Sequence, residues 1–389
     1  MVPYHGFSGV VSETLAGNLA KKGHEIIIVG HFPDQSRLFS EEKRNPEELS
    51  ICFYRMKTIS ISIPGLITEF PCFMHFEKLI EETRPDIIHI NCLPFLTTFQ
   101  AARVARKAHI PSIVHIHGVT ADRGHILNFL QWLYLQSVGR CIFGDTSKVI
   151  CLTKQDAAQV RSFGCSENKI NVIPNGVDVS KFRPNNGGES DGLILWLGRF
   201  VPEKGLYYLI KAMSLLANNA SKIIESNVHK NYRLLLVGAG PTKSSIEEQI
   251  HALHLESMVK IIPAVPHDRV AEYLEQASIF VLPSLKEGMP YTLLEAMASG
   301  KPVVGSDISG INDVITNEQN GLLVPPMNPE ALANAILELL NDKKMRQRLG
   351  QNARQLMAEK YSWDIITSRI EETYNEAIKD SCQLRIKVF

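Results

Sequence analysis

Residues 286 to 307 read KEGMPYTLLEAMASGKPVVGSD and carry two glutamates eight positions apart. Glu287 lies in a Gly-Met-Pro turn, and Glu295 lies inside an apolar run with the composition of a helix. Pro290 suits the first position of that helix, and Gly300 suits its end. The stretch therefore predicts a helix that begins just behind Glu287, and the free N–H groups at such a helix end attract phosphate.

Glu295 is costly to bury among apolar neighbours unless a partner satisfies its carboxylate. Its helical neighbours at i−3 and i+4 are Thr292 and Ser299, which form one narrow polar stripe. Two interpretations stay open on this evidence. Glu295 is either a structural carboxylate satisfied inside the protein or a group that binds a ligand.

Short β-branched runs alternate with longer helix-like stretches along the whole chain. These runs are continuously apolar, which is typical of strands buried on both faces of a parallel sheet. The alternation predicts an α/β protein with two doubly wound, Rossmann-like domains. The predicted strands are 25–30, 86–90, 112–117, 148–153, 170–175, 193–198, 233–238, 259–265, 279–284, 302–307 and 321–326.

The domain boundary is predicted within residues 182–192, the richest Pro/Asn/Gly stretch of the chain. We therefore assign residues 1–183 to a first domain and 184–363 to a second, with a final amphipathic helix over 364–389. The first domain opens with a loop and a helix before its first strand. A doubly wound domain normally opens with a central strand, so that first strand is absent from the predicted elements.

Composition excludes several classes of protein. The 41 basic and 41 acidic side chains cancel, so charge does not predict nucleic-acid binding. The seven cysteines include no Cys-x-x-Cys pair, which argues against a disulfide framework or a zinc site. No apolar run approaches the roughly 20 residues of a membrane span. We expect a cytoplasmic protein.

Charged side chains follow one strand of the second domain. Arg199 and Lys204 lie five apart in a loop that opens a helix, so they could clamp a diphosphate, or they could simply form a solvated basic loop. Gly238 and Gly240 follow another strand, but the rest of a G-x-G-x-x-G motif is absent. We interpret them as a tight turn.

The first domain offers two further candidates. His117 ends a predicted strand and could be a base or a hydrogen-bond donor, or a packed histidine. Gly9 lies in the opening loop, where it would let the backbone approach a ligand. The chain contains no Asp-x-Asp pair and no His/Cys/Glu ligand cluster, so no metal site is predicted. The absence of Gly-x-Ser-x-Gly argues against an α/β-hydrolase.

Taken together, these residues resemble glycosyltransferase family 4, the retaining glycosyltransferases of the GT-B fold. The resemblance runs from about residue 8 to the end. Its most specific part is the E-x7-E spacing of Glu287 and Glu295. Support comes from the motifs INVIPNGVDVSKFRP, GRFVPEKG, NGLLVPP and YSW, in that family's order.

The resemblance implies two Rossmann-like domains that face a central cleft, with a C-terminal helix crossing back to the first. The second domain would bind a nucleotide-diphosphate sugar, and the first would receive the acceptor. Arg199 and Lys204 would hold the diphosphate, Glu295 the ribose and Glu287 the transferred sugar. Catalysis would rest on His117, Glu287, Arg199 and Lys204. The remaining donor contacts would come from Gly9, Pro263, Gly288, Met289, Pro290, Tyr291 and Thr292.

The implied activity is metal-independent hexosyl transfer with retention, in polysaccharide or glycoconjugate biosynthesis. The donor would be a UDP-sugar by preference, or a GDP- or ADP-sugar, and no other cofactor is implied. The acceptor would be a glycan, a lipid or a small molecule, and peripheral contact with the inner membrane face through the first domain stays open. The alternatives are an inactive nucleotide-sugar-binding subunit and a GT-B sugar-nucleotide epimerase.

The chain departs from the family's pattern at three places. Ser8-Gly9 stands where the family has a glycine pair, which affects the phosphate contact expected at Gly9. SGIND at 309–313 replaces the family's G-G-I-P-E and puts Asp313 in the place of a glutamate. The third departure is that the fold's first strand is absent from the predicted elements.

Overall fold

The computed structural model describes residues 7–31, 39–43, 51–56, 58–62, 69–93, 95–119, 124–184, 192–222 and 232–386. The chain divides into two compact units. The first comprises Met1–Pro174 with Ile366–Phe389, and the second comprises Asn175–Ile365. The linker predicted at 182–192 lies mostly outside the described residues. Among the described helices, none combines the length and the apolar character needed to cross a membrane.

The first unit contains two sheets and a hairpin. β6 to β9 form a parallel four-stranded sheet in sequential order, while β3 pairs in parallel with β1 and antiparallel with β2. β4 and β5 form the antiparallel hairpin. The strands are β1 Ile26–His31, β2 Phe39–Lys43, β3 Ile51–Met56, β4 Thr58–Ser62, β5 Glu69–Phe73, β6 Ile88–Asn91, β7 Ser112–Ile116, β8 Lys148–Cys151 and β9 Ile170–Val172.

Six of the described α-helices lie wholly within the first unit. Its core joins the buried faces of α2, α3 and α6 to the apolar side chains of β7 and β8. α6 is capped by Thr153, whose hydroxyl accepts from the Asp156 N–H. The helices are α1 Phe7–Lys21, α2 Phe76–Thr83, α3 Leu96–Lys107, α4 His125–Tyr134, α5 Arg140–Asp145 and α6 Lys154–Ser162.

The second unit is built on one six-stranded sheet. Its order is β12-β11-β10-β13-β14-β15, and every pair in it is parallel. All four residues of β13 are buried, as expected for a strand covered on both faces. The strands are β10 Leu193–Arg199, β11 Arg233–Ala239, β12 Val259–Ile262, β13 Ile279–Leu282, β14 Val303–Ser306 and β15 Leu322–Val324.

The helices of the second unit cover that sheet. α7 and α11 bury apolar stripes in a core centred on Trp196 and Phe200, whose rings meet edge to face 5.3 Å apart. α11 and α12 are each capped by the side chain of the preceding Asn328 or Asp342. The helices are α7 Leu206–Lys222, α8 Lys243–Ala252, α9 Val270–Gln276, α10 Tyr291–Ala298, α11 Pro329–Asn341 and α12 Lys343–Leu356.

The last helix, α13, runs from Trp363 to Ile386. From Ile366 onward it belongs to the first unit. There Glu371 accepts hydrogen bonds at 2.8 Å from Lys22, next to α1, and from His24. Asn171 in β9 donates to Thr373 at 3.0 Å. The C-terminal helix predicted from Trp363 is therefore present and is held to the first unit by polar contacts.

The α/β class with parallel sheets is confirmed, and every predicted strand overlaps an observed one. β2 to β5 were not predicted. The first described element is the helix α1, followed by β1. α10 begins at Tyr291, so Pro290 caps the helix and is not its first residue, while Gly300 adopts φ 70° just past the end.

Candidate functional site

The second-unit site lies where its parallel strands end. The strand order runs outward from β10 to β12 on one side and from β13 to β15 on the other. The direction of winding therefore reverses between β10 and β13. In open α/β sheets, ligands bind outside the carboxyl ends of the strands at such a switch point. Lys204 follows β10, and Glu287 follows β13.

Lys204 and Glu287 form an ion pair at this switch point. Lys204 Nζ lies 2.6 Å from Glu287 Oε1, and the Ser284 hydroxyl donates to the same oxygen at 2.6 Å. Only 8% of the Glu287 side chain and 19% of the Lys204 side chain are exposed. Removing one partner of a pair this buried leaves the other charge poorly compensated. The two predicted residues are thus brought together in one polar cluster.

Two glycines allow the strand-end loops to approach so closely. Gly205 has φ 67°, and a Cβ there would lie 1.9 Å from the Pro283 carbonyl oxygen. Gly310 has φ 85°, and its Cβ would lie 2.0 Å from the Gly288 carbonyl oxygen. Only glycine satisfies both the backbone conformation and the contact. The loop after β10 therefore packs on the end of β13, and the 309–313 turn packs behind Glu287.

Asp313 closes that turn. Its Oδ2 accepts from the Gly310 N–H at 2.9 Å and from the Ser309 hydroxyl at 3.1 Å. Asp313, which stands where the family has a glutamate, therefore stabilises the turn in which it lies.

Glu295 is paired by a residue that sequence analysis missed. Its side chain is 4% exposed, and its Oε1 lies 2.6 Å from Nε2 of His267. The predicted stripe of Thr292 and Ser299 supplies no side-chain bond to Glu295 among the described residues. The partner instead follows β12, in the segment PAVPHDR that begins with Pro263. The sequence did contain one indication of this partner, because His267 lies just past the end of the predicted strand 259–265.

The start of α10 is fixed by Asn175. Its amide donates to the Met289 carbonyl at 3.0 Å, and its Oδ1 accepts from the Tyr291 hydroxyl at 2.8 Å. Burial raises the pKa of Tyr291 well above its usual range, and the charge of Glu295 raises it further. Tyr291 therefore stays a neutral donor, and the turn between Glu287 and α10 is held in one conformation.

The other predicted donor contacts surround this cluster. Arg199 is exposed at the end of β10, and its guanidinium makes no hydrogen bond to a described residue. Pro263 is exposed directly after β12. Gly288 and Thr292 are half-buried, and Met289 is 4% exposed. A free cation and the start of α10 are thus available at the same edge of the sheet.

His117 lies in the first unit, just past the end of β7. It is the last of three histidines whose rings pack in a row: its ring centroid is 4.4 Å from that of His115, which is 5.3 Å from that of His89. The Tyr374 hydroxyl, from α13, lies 2.7 Å from His89 Nδ1. His117 Nε2 lies 3.3 Å from Asn91 Oδ1. The histidine that the sequence singled out therefore ends a chain of packed rings.

Burial keeps the imidazole rings of these three histidines neutral. It lowers the pKa of His117 to about 4 and that of His89, where the charge of His117 adds to the effect, also to about 4. The pKa of His115 is lowered well below its usual range by burial and by both neighbours. Neither ring nitrogen of His115 has a hydrogen-bond partner among the described residues.

Gly9 was predicted in a loop, and that prediction is wrong. It is the third residue of α1. Its N–H belongs to the first turn of a helix, where N–H groups lack an intrahelical acceptor. The predicted site residues thus divide into His117 and Gly9 in the first unit and the cluster around Lys204 and Glu287 in the second.

Two family models match the chain in tandem. The model described as Glycosyltransferase Family 4 matches residues 8–181, and the one described as Glycosyl transferases group 1 matches residues 178–356. Together they span nearly all of both units.

Similar proteins agree with these matches. An uncharacterized glycosyltransferase of Methanocaldococcus jannaschii is 29% identical, over 94% of this chain and 93% of its own. The UDP-Gal:alpha-D-GlcNAc-diphosphoundecaprenol alpha-1,3-galactosyltransferase of Escherichia coli is 29% identical, over 72% of each chain. Among solved structures, a sucrose-phosphate synthase from Thermosynechococcus elongatus has a TM-score of 0.74 at 21% identity, covering 96% of this chain and 94% of that one.

The lowered pKa values of the three packed histidines predict that the free energy of unfolding depends on pH. A histidine whose pKa is lower in the folded state stabilises the protein above the unfolded pKa of about 6.5, and that stability is lost as the pH falls toward 4. His117→Gln should therefore reduce the loss of unfolding free energy between pH 7 and pH 5 by on the order of 1–2 kcal/mol. Chemical denaturation at both pH values measures this. The exposed His125 provides the matched control, His125→Gln, and an equal effect of both variants would contradict the assignment.

Proposed function

Because the chain belongs to glycosyltransferase family 4 and has the GT-B fold, we propose that it transfers a hexosyl group from a nucleotide-diphosphate sugar to an acceptor hydroxyl with retention of configuration, without a metal ion. The observation that carries this proposal is the Lys204–Glu287 pair at the switch point of the second sheet. A UDP-sugar is the preferred donor, since the name of the Escherichia coli relative gives UDP-Gal as its donor.

The leaving diphosphate would be stabilised by fixed positive charge. The ammonium of Lys204 has three N–H donors, of which one bonds to Glu287, so the others can reach a phosphate. Arg199 adds an exposed guanidinium from the end of β10, and the start of α10 adds backbone N–H groups. Donors that are held in place before the reaction stabilise developing negative charge most effectively. No Asp-x-Asp motif is present to hold a metal for this task.

The two glutamates would bind different parts of the donor. Glu295 has one oxygen bonded to His267, and its second oxygen would accept from the ribose hydroxyls. Glu287 would accept from hydroxyls of the transferred sugar, with the amides near Gly288, Met289, Tyr291 and Thr292. The backbone at Pro263, one strand away, would contact the base. His267 thereby becomes a residue that positions the ribose ligand Glu295.

The two predicted domains would divide the substrates between them. Residues 184–363 would bind the donor, and residues 1–183, with the helix over 364–389, would receive the acceptor. His117 would act beside the reacting sugar, as a neutral ring in view of its lowered pKa. The acceptor would be a glycan, a lipid or a small molecule of a glycoconjugate pathway in the cytoplasm. The relatives give no support to an inactive subunit or an epimerase.

The reaction class can be tested on the donor alone. Incubation with UDP-α-hexoses should release the α-anomer first, which proton NMR resolves before mutarotation. The rate should persist in excess EDTA because the charge on the diphosphate is met by Arg199, Lys204 and α10. Release of the β-anomer would contradict retention. Complete loss of activity in EDTA that Mg²⁺ or Mn²⁺ restores would contradict the cationic site.

The two glutamates should fail differently. Glu295→Ala should weaken UDP itself by roughly 10- to 100-fold, since a charged hydrogen-bond pair to the ribose is lost. Glu287→Ala should leave UDP affinity nearly unchanged and should lower affinity for the intact UDP-sugar, or turnover. Calorimetric titration of both folded variants with both ligands measures this, with the exposed Glu330→Ala as control. Equal losses with both ligands would show that the division is wrong.

A further inference from the structure

α4 of the first unit has its apolar side turned outward. Ile126 is 77% exposed and Phe129 is 59% exposed, while Leu130, Trp132 and Leu133 are each close to half exposed. None of the residues of α4 is buried. An ordinary surface helix of a globular protein places its apolar stripe toward the core. α4 therefore carries an exposed stripe that the fold of the first unit does not use.

The spacing shows that this stripe is one continuous surface. Ile126, Phe129, Leu130 and Leu133 stand at i, i+3, i+4 and i+7, which places them on one side of the helix. Trp132 extends the stripe, because its ring stacks on Phe129 with the centroids 5.9 Å apart. We call these five residues the apolar face of α4.

The opposite side of α4 faces the protein. Asn128 and Gln131 are half-buried there beside Leu127 and Tyr134, and the Gln131 amide donates to the Val119 carbonyl at 3.4 Å. Two amides therefore lie on the inner side of the helix, while its five most exposed apolar side chains lie on the outer side. The apolar face is thus exposed to solvent.

Charge identifies the kind of partner. The segment Gly124–Gly139 contains no Asp, Glu, Lys or Arg, and the first charged residue after it is the exposed Arg140. A face without charge offers no specific ion pairs to a protein partner. An exposed tryptophan and a tyrosine at the end of the same helix are the residue types that concentrate where a membrane meets water. An apolar face made of Trp, Phe and Leu side chains is also the part of an interfacial helix that enters the bilayer surface.

The size of the face argues against a second copy of the chain. A ten-residue helix is about 15 Å long, so pairing two such stripes would bury on the order of 600 Å². Stable protein interfaces bury about 1,200–2,000 Å². A lipid surface has no such minimum, because insertion of a few large apolar side chains by about 5–10 Å is enough for peripheral binding. We propose that the apolar face of α4 docks the protein on a lipid bilayer.

Vesicle binding tests the proposal directly. The full chain is mixed with vesicles of phosphatidylcholine, or of phosphatidylcholine and phosphatidylglycerol in equal parts, and is sedimented with and without 0.5 M NaCl. Because the contact is apolar, we expect binding to both vesicles that survives salt. Binding only to the anionic vesicles that salt abolishes would overturn the proposal, as would no binding to either.

The fluorescence of one side chain reports where binding occurs. Of the three tryptophans, Trp196 is 0% and Trp363 is 8% exposed, while Trp132 is 48% exposed. Insertion of α4 should therefore shift tryptophan emission to the blue. Trp132→Phe should still sediment with vesicles but should lose the shift. A shift that persists in Trp132→Phe would place the contact elsewhere and overturn the proposal.

Substitutions on the face complete the test. Phe129→Gln with Leu133→Gln should lower the partition coefficient at least about tenfold, because each removes a large apolar side chain that the bilayer would bury. Ile126→Gln alone should lower it less. Met327→Gln is the matched control, since Met327 is also 59% exposed but lies in the second unit. Circular dichroism verifies folding. Unchanged binding by the double variant, or a dimer that this variant dissociates, would overturn the proposal.

Discussion

The strand-end site of the second unit is organised around two buried carboxylates, each of which needs a hydrogen-bond partner. Glu287 and Glu295 are each less than one-tenth exposed, and burying a carboxylate without a hydrogen-bond partner is costly. Each receives one at 2.6 Å from a different strand end, Lys204 after β10 and His267 after the more distant β12. The same pairs that satisfy the carboxylates leave polar groups at the edge of the sheet. The contacts that stabilise the buried carboxylates are therefore also the contacts that shape the proposed donor site.

Parallel topology makes this arrangement possible. Every strand of the second sheet ends at the same edge, so residues far apart in sequence arrive together there. Gly205 and Gly310 then remove the Cβ atoms that would keep the loops apart. Asn175 fixes the turn from which α10 begins. The geometry of the proposed donor site is thus largely a consequence of strand order, two close backbone contacts and a turn held by Asn175.

Sequence alone could predict the parallel strands because their apolar runs are continuous and lie between helix-like stretches. It missed the hairpin of β4 and β5, because the β4 sequence TISIS alternates over only a few residues. It found Lys204 and Glu287 by motif, but not their mutual contact across 83 positions. It assigned Glu295 neighbours on its own helix, whereas His267 reaches it from another loop. Sequence alone could not predict that the apolar stripe of α4 is exposed. The spacing of apolar residues shows which residues share one side of a helix, but not whether that side faces the core or the solvent.

The central claim is that Arg199 and Lys204 recognise the diphosphate and not the nucleoside. Calorimetric titration of the wild type and of Arg199→Ala/Lys204→Ala with UDP and with uridine tests it most directly. Each charged hydrogen bond is worth about 1.5–3 kcal/mol, so the double variant should bind UDP at least about 100-fold more weakly. Its affinity for uridine should be unchanged. Equal losses for UDP and uridine would contradict the account.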